Sequence, residues 1–331
     1  MLGSPSMNTA REPGGADGLV ANAIVVRRDP VHMPHGIRRR VDHLLDYYGR
    51  SDDDVDVVSV SSMRGVAELA RLRVAGRTSF HVVALFQPGM MRLAGLLRQF
   101  GTNVTIDVCD SLTLLKATLE QEEGLLRTAE EAAATLRRLP NAIGVTYISR
   151  RDADADAAIN EGRTVSVVPP TAPSSLSSLA GNMNGHIGRF TLSGDFASHH
   201  TREGIGLLVA GWRDHAQAFP AARLDIYGHN TEGLIDVPGA RLRGFATDLR
   251  DLYSGNTAVL VPNVLASGVP NKLVEAVAAQ RPVIAHQSLK AMLSHHEGFY
   301  SFRTAEDVTK ALAEVSNAQF GPALPYMRYA L

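Results

Sequence analysis

Lys272 and Glu275 stand three residues apart, just after Ser267-Gly268 and Asn271, in the run A-V-L-V-P-N-V-L-A-S-G-V-P-N-K-L-V-E-A-V-A-A-Q-R-P-V-I-A over 258–285. The segment opens as a buried strand, breaks at Pro262 and turns through Ser267-Gly268. A helix begins near Pro270, and a second short apolar strand follows Pro282. A strand, a glycine turn and the positive end of a helix make an anion site, because the unpaired N–H groups of the first helical turn point at it. Glu275 lies about one turn into that helix, near enough to meet a ligand docked at its N-terminus. Together these residues call for a ligand bearing both phosphate and hydroxyl groups, as a nucleotide sugar does.

The elements that must position them are numerous enough for two domains, the prior that a chain of 331 residues sets. With 33 Lys+Arg against 34 Asp+Glu, no global field points to nucleic acid or acidic lipid; local basic clusters such as Arg38-Arg39-Arg40 remain. The single cysteine, Cys109, excludes an internal disulfide framework and fits a reducing compartment, so the expected location is the cytoplasm. No apolar run reaches the roughly 18 residues of a membrane span. Residues 1–20, rich in Gly, Pro, Ser and Ala, read as a disordered leader.

Short, uniformly apolar β-branched runs alternate with helical patterns, which predicts parallel α/β architecture with strands covered on both faces. In the first half, 21–168, strands are expected over 23–26, 55–60, 80–86, 104–108, 145–148 and 164–168. Helices are expected over 35–48, 65–74 and 89–100, with a long stretch over 111–139 that bends or divides near Gly124. Residues 169–188 have a linker composition. The rhythm restarts over 189–315, and a tail, 316–331, is expected to pack back on the first domain. Two doubly wound halves leave a cleft where both present strand C-termini.

The 258–285 run resembles the donor-binding signature of GT-B glycosyltransferases of the family 4 type: a Pro-ended strand, a small-residue or Glu-Gly turn, then K-L-x-E-A-x-A-x-x-P-V-[IV]-A. Pro262, Ser267, Gly268, Asn271, Lys272, Leu273, Glu275, Ala276, Ala279, Pro282, Val283 and Ala285 supply it. The resemblance implies the GT-B fold, two Rossmann-like domains facing across a cleft. It implies that Glu275 accepts hydrogen bonds from ribose hydroxyls, and that Ser267, Gly268 and the helix start face the diphosphate and sugar. Many members carry a second Glu where this chain has Ser267. Ser193-Gly194-Asp195-Phe196 and Thr201-Arg202-Glu203-Gly204 resemble the first loop of the donor domain, with Arg202 the candidate phosphate cation, since a guanidinium binds two phosphate oxygens together. Gly228 matches a glycine-ended strand, and Gly244-Phe245 with Asp248-Leu249 and Leu252-Tyr253 resembles the stretch lining the nucleobase pocket.

In the first half, Gly36, with Arg38 or Arg39, takes by resemblance the place of a glycine that lets the chain approach the transferred sugar. Asp110 fits the acid of a His-Asp or Arg-Asp pair that points into the cleft, with Cys109 in place of the basic residue; Asp110-Ser111 equally serves to cap the next helix. No metal site is expected. Asp54-Val-Asp56 opens a strand, Asp152-Ala-Asp154-Ala-Asp156 lacks the glycine and glutamate of a calcium loop and reads as a helix start, and His199-His200 and His295-His296 are adjacent rather than helically spaced. The implied reaction is metal-independent, retaining transfer of a sugar from a nucleoside diphosphate donor, needing no cofactor, to an acceptor: a glycan, lipid-linked sugar, metabolite, protein or modified DNA. Arg202, Lys272 and the helix start would neutralise the leaving group. A sugar-nucleotide epimerase of the same architecture, or a non-catalytic relative binding nucleotide or a partner protein, are the alternatives.

Overall fold

The computed structural model describes residues 23–27, 35–48, 55–119, 122–264, 267–321 and 328–329. The predicted leader over 1–20, Pro34, Asp54, and residues 322–327 and 330–331 of the tail lie outside them.

The first half builds one six-stranded parallel sheet from β1 (Ala23–Val26), β2 (Asp56–Ser59), β3 (Ser79–Val83), β4 (Asn103–Cys109), β5 (Gly144–Tyr147) and β6 (Val165–Val167). Its order is β2-β1-β3-β4-β5-β6. All four residues of β1 are buried, because alternate side chains enter opposite layers. Ile24 and Val26 meet Val41 and Leu44 of α1 (His35–Tyr47). Ala23 and Val25 belong to the core formed with α2 (Met63–Val74), α3 (Pro88–Gln99) and α5 (Glu123–Arg138). The stretch 111–139 divides into α4 (Leu112–Thr118) and α5, so the break falls ahead of Gly124 rather than on it. A short α6 (Arg150–Ala155) follows β5.

The second half repeats the plan with β7 (Arg189–Asp195), β8 (Arg223–His229), β9 (Ala240–Gly244), β10 (Thr257–Val261), β11 (Val283–His286) and β12 (Phe299–Phe302), in the order β9-β8-β7-β10-β11-β12. On one face α7 (His199–Ala218) and α10 (Ala305–Asn317) cover Phe190, Leu192, Leu224 and Ile226, around the buried Trp212. On the other, α8 (Arg250–Tyr253) and α9 (Asn271–Ala278) cover Val259 and Val261. The linker stretch is packed against the second half, where Leu176, Met183 and Ile187 are buried in its cores. The tail, expected against the first domain, pairs in its described parts with the second half: residues 319–320 lie antiparallel to 185–186, and 328–329 to 293–295.

Strand order reverses between β1 and β3 in one sheet and between β7 and β10 in the other. Each reversal opens a crevice at the C-terminal strand ends, where ligands of such sheets bind.

Candidate active site

The C-terminal ends of β7, β8 and β10 converge with the start of α9. Gly228 lies so close to β7 that a methyl group there would come within 1.8 Å of the Gly194 carbonyl oxygen, so only glycine lets the two strand ends meet. Lys272, half-buried in the first turn of α9, leans back over this junction, its Cε and Nζ being the side-chain atoms nearest Gly194. Burial lowers the Lys272 pKa, with Glu275 opposing that shift. Glu275 is 4% exposed and accepts a hydrogen bond at Oε2 from the Tyr253 hydroxyl at 2.7 Å. In the loop between β10 and α9, Ser267 is 2% exposed and Asn263 8%. Ser267 Oγ and Asn263 Oδ1 are buried there without a hydrogen-bond partner among the described residues. Two orphaned polar atoms beside a lysine and a helix start are costly unless a polar ligand completes them.

The first domain faces this loop directly. Gly268 adopts φ +74°, and a methyl group there would sit 2.7 Å from Asp110 Oδ1, so the turn is glycine for both conformation and space. The Gly268 N–H donates to Asp152 Oδ1 at 3.0 Å, and the same oxygen accepts from Ser111 N–H at 2.9 Å. Burial, followed by the charge of Asp152, pushes the Asp110 carboxyl up to about 6. Ser111, not Asp110, caps α4, accepting from Leu114 N–H at 3.0 Å. That division of labour leaves Asp110 free to face the opposite domain. Cys109 holds φ +67° where β4 slips register against β5, a strained strand end that turns Asp110 into the cleft. Burial raises the Cys109 thiol pKa.

Beneath Asp110 lies a buried charged pair that the sequence did not reveal. Arg40 of α1 reaches Asp107 of β4 through two bonds, Nε to Oδ2 at 2.9 Å and Nη2 to Oδ1 at 2.6 Å, and donates from Nη1 to the Val168 carbonyl at 2.7 Å. Thr146 donates to Asp107 Oδ1 at 2.8 Å, and the chain continues through His81 to the Tyr48 hydroxyl. Burial alone would lift the Asp107 carboxyl, but the Arg40 charge outweighs it and holds the pKa below its ordinary value. Burial, with Arg40 and Arg39 nearby, brings the neighbouring His43 down to about 4.

Of the residues singled out from sequence, Gly194, Gly228, Lys272, Asn271, Glu275, Ser267, Gly268 and Asp110 gather at this one place. Leu273 turns its side chain into the core and is fully buried. Arg202 is exposed and aimed at Glu122 of the first domain at 3.8 Å, with a weak bond to the Ala197 carbonyl. Gly36 lies in the first turn of α1 with open space around it. Arg38 and Arg39 both pair with Asp42 on their own helix. Gly244 ends β9, and the Phe245 ring stacks on His229 beside a cavity of about 430 Å³ lined by Arg243, Thr247 and Asp251. Sequence reasoning missed Asn263, and it missed the partners of Asp152 and Asp156, which it read as a helix start. Only the polar Asn263 after a strand-ending proline gave a local signal, since the aspartates' long-range partners lie 41 to 116 residues away. Among the described residues, no group of three or more His, Cys, Asp or Glu side chains is placed to hold a metal ion.

Two Rossmann-like sheets meeting at such a cleft make up the GT-B fold. Residues 189–317 match the family model described as Glycosyl transferases group 1. HepE from Anabaena, solved with UDP, is 13% identical and superposes with a TM-score of 0.57 over 92% of this chain and 96% of its own. A UDP-forming trehalose-phosphate synthase from Burkholderia xenovorans is 10% identical, with a TM-score of 0.57 over 90% of this chain and 91% of its own. WaaG, a glycosyltransferase involved in lipopolysaccharide biosynthesis, is 11% identical, with a TM-score of 0.54 over 88% and 90%. No curated protein matches this chain.

Proposed function

We propose that the protein transfers a sugar, with retention of anomeric configuration, from a nucleoside diphosphate sugar to an acceptor held by the first domain. The observation that carries this reading is the donor loop. Ser267 Oγ and Asn263 Oδ1 are buried in it and unpartnered among the described residues, next to Gly268, which lies against Asp110. The diphosphate would lie over Gly194, where Lys272 and the N–H groups opening α9 meet its charge without a metal ion. Ser267 and Asn263 would take sugar hydroxyls, and Glu275 the ribose. HepE has been solved with UDP and glucose, which favours a uridine diphosphate donor as the first to try.

In the step itself the bond between the anomeric carbon and the leaving phosphate oxygen breaks. An acceptor oxygen bonds to that carbon on the same face, and its proton passes to the departing phosphate. Asp110, raised to about 6, lies across from the donor loop, where it would orient the acceptor or the transferred sugar. Contact between Gly268 and Asp152 brings the two domains together over the reacting atoms, which limits hydrolysis of the donor.

UDP-glucose and other nucleotide sugars, supplied alone and then with candidate acceptors, test this by mass spectrometry. Nucleoside diphosphate and glycosylated acceptor should appear in equal amounts. Epimerised donor formed without acceptor would contradict transfer and favour an epimerase. Lys272→Ala should lower kcat/KM by on the order of a hundredfold, the scale of losing one preorganised charge at a leaving group.

A further inference from the structure

Helix α2 is apolar on two opposite faces. Gly65, Leu69 and Leu72 point into the first-domain core. On the outer side Met63, Val66, Ala67, Ala70 and Val74 recur at helical spacing, and all five are exposed. Five of the eight large apolar side chains exposed among the described residues lie on α2 and α3 or at the end of α3: Met63, Val66, Val74, Leu96 and Phe100. The two helices adjoin at their C-terminal ends, where Arg73 donates to the Phe100 carbonyl at 3.1 Å. This clustering sets the surface apart from scattered exposed leucines and valines, which need no explanation.

Charge sharpens the pattern. Over residues 60–106 the sequence carries six arginines and one acidic residue, Glu68, in a chain whose formal net charge is −1. Arg64 and Arg71 flank the outer stripe of α2 on one side, Arg73 on the other. Glu68 is taken up by Arg71. Arg77 faces Asp56 at 4.0 Å, and Arg92 pairs with Glu131 of α5. Arg64, Arg73 and Arg98 meet no carboxylate among the described residues.

We propose that this outer face of α2, with Leu96 and Phe100 beside it, docks the protein on a membrane surface rich in anionic lipid. An apolar stripe edged by arginines suits the headgroup boundary, where methyl groups enter the acyl layer and guanidiniums meet lipid phosphates. The charge on its flanks matches an anionic bilayer, whose surface conforms to an exposed helix side. A second copy of the chain is disfavoured, since an isologous contact would set the arginine flanks against each other. Among the described residues no helix is long and apolar enough to cross a membrane, so attachment through this face is peripheral. The N-terminal end of α2 follows the cleft-side end of β2, so docking would bring the acceptor domain's mouth near the lipid.

Flotation of the full chain with phosphatidylcholine vesicles, with and without phosphatidylglycerol, tests the proposal. Expected is binding to the anionic vesicles alone, weakened by salt. Val66→Asp/Val74→Asp and Arg64→Glu/Arg73→Glu should each reduce it by about tenfold or more while leaving the melting temperature near that of the unaltered protein. Absence of binding to anionic vesicles, or binding that both double variants retain, would overturn it. So would a wild-type dimer that Val66→Asp/Val74→Asp dissolves.

Discussion

Asp110 is the residue whose chemistry is most directly open to measurement. In the folded chain it keeps its proton up to about pH 6, because burial and the neighbouring Asp152 disfavour its charge. An unfolded aspartate releases that proton near pH 3.9. Between these values the folded state binds more protons, so this group's contribution to stability falls as pH rises through the window. Asp110→Asn, neutral throughout, should therefore stabilise the protein by about 1–2 kcal/mol above pH 6, with the gain vanishing below about pH 4. Thermal melts across pH check this, and a gain independent of pH would contradict it. Arg40 and Asp107 behave oppositely, because each needs the other. Asp107→Asn should cost about 3–5 kcal/mol by leaving a buried guanidinium unpaired, whereas Arg40→Met/Asp107→Leu should recover most of that loss in urea unfolding.

At the scale of elements, α4 shows how a helix is held by a distant carboxylate. Asp156 accepts from the Ser111 hydroxyl at 2.7 Å, Leu112 N–H at 2.8 Å and Thr113 N–H at 2.9 Å. Asp156→Ala strands those donors and should destabilise the chain by about 2–4 kcal/mol, read as a lower urea midpoint; a change under about 0.5 kcal/mol would deny it that role. The sequence showed the residues but not this use. Asp152, Asp154 and Asp156 read as a helix opening, and Asp152 does sit in the first turn of α6. What their carboxylates reach depends on β4 and β5 lying side by side, which no local pattern encodes. Elements whose signal is local were legible. The uniformly apolar strands β1 and β10 match their expected cores, and the division between α4 and α5 was foreshadowed by Gly124. Helix α8 starts only at Arg250, since Asp248 is spent on Arg250 ahead of it.

For the whole molecule, two-domain architecture was readable because strand runs alternate with helices on both sides of one compositional break. The convergence of Gly194, Gly228, Lys272 and Glu275 was readable too, since they are tied to strand ends and one helix start. The half contributed by the first domain was far less so. Its residues meet the loop between β10 and α9 only after two sheets are folded and brought face to face, as Asp152 does with Gly268. Arg202, given a phosphate role by the resemblance, is exposed and pairs with Glu122 across the domains. The charge nearest Gly194 is that of Lys272. Calorimetric titration of UDP into the protein, alongside Lys272→Ala and Glu275→Gln, tests this most directly. The unaltered protein should bind UDP, and each variant, still folded by its melt, should bind about tenfold or more weakly. No detectable UDP binding by the unaltered protein, or binding that both variants keep in full, would contradict a nucleotide-sugar site at this cleft.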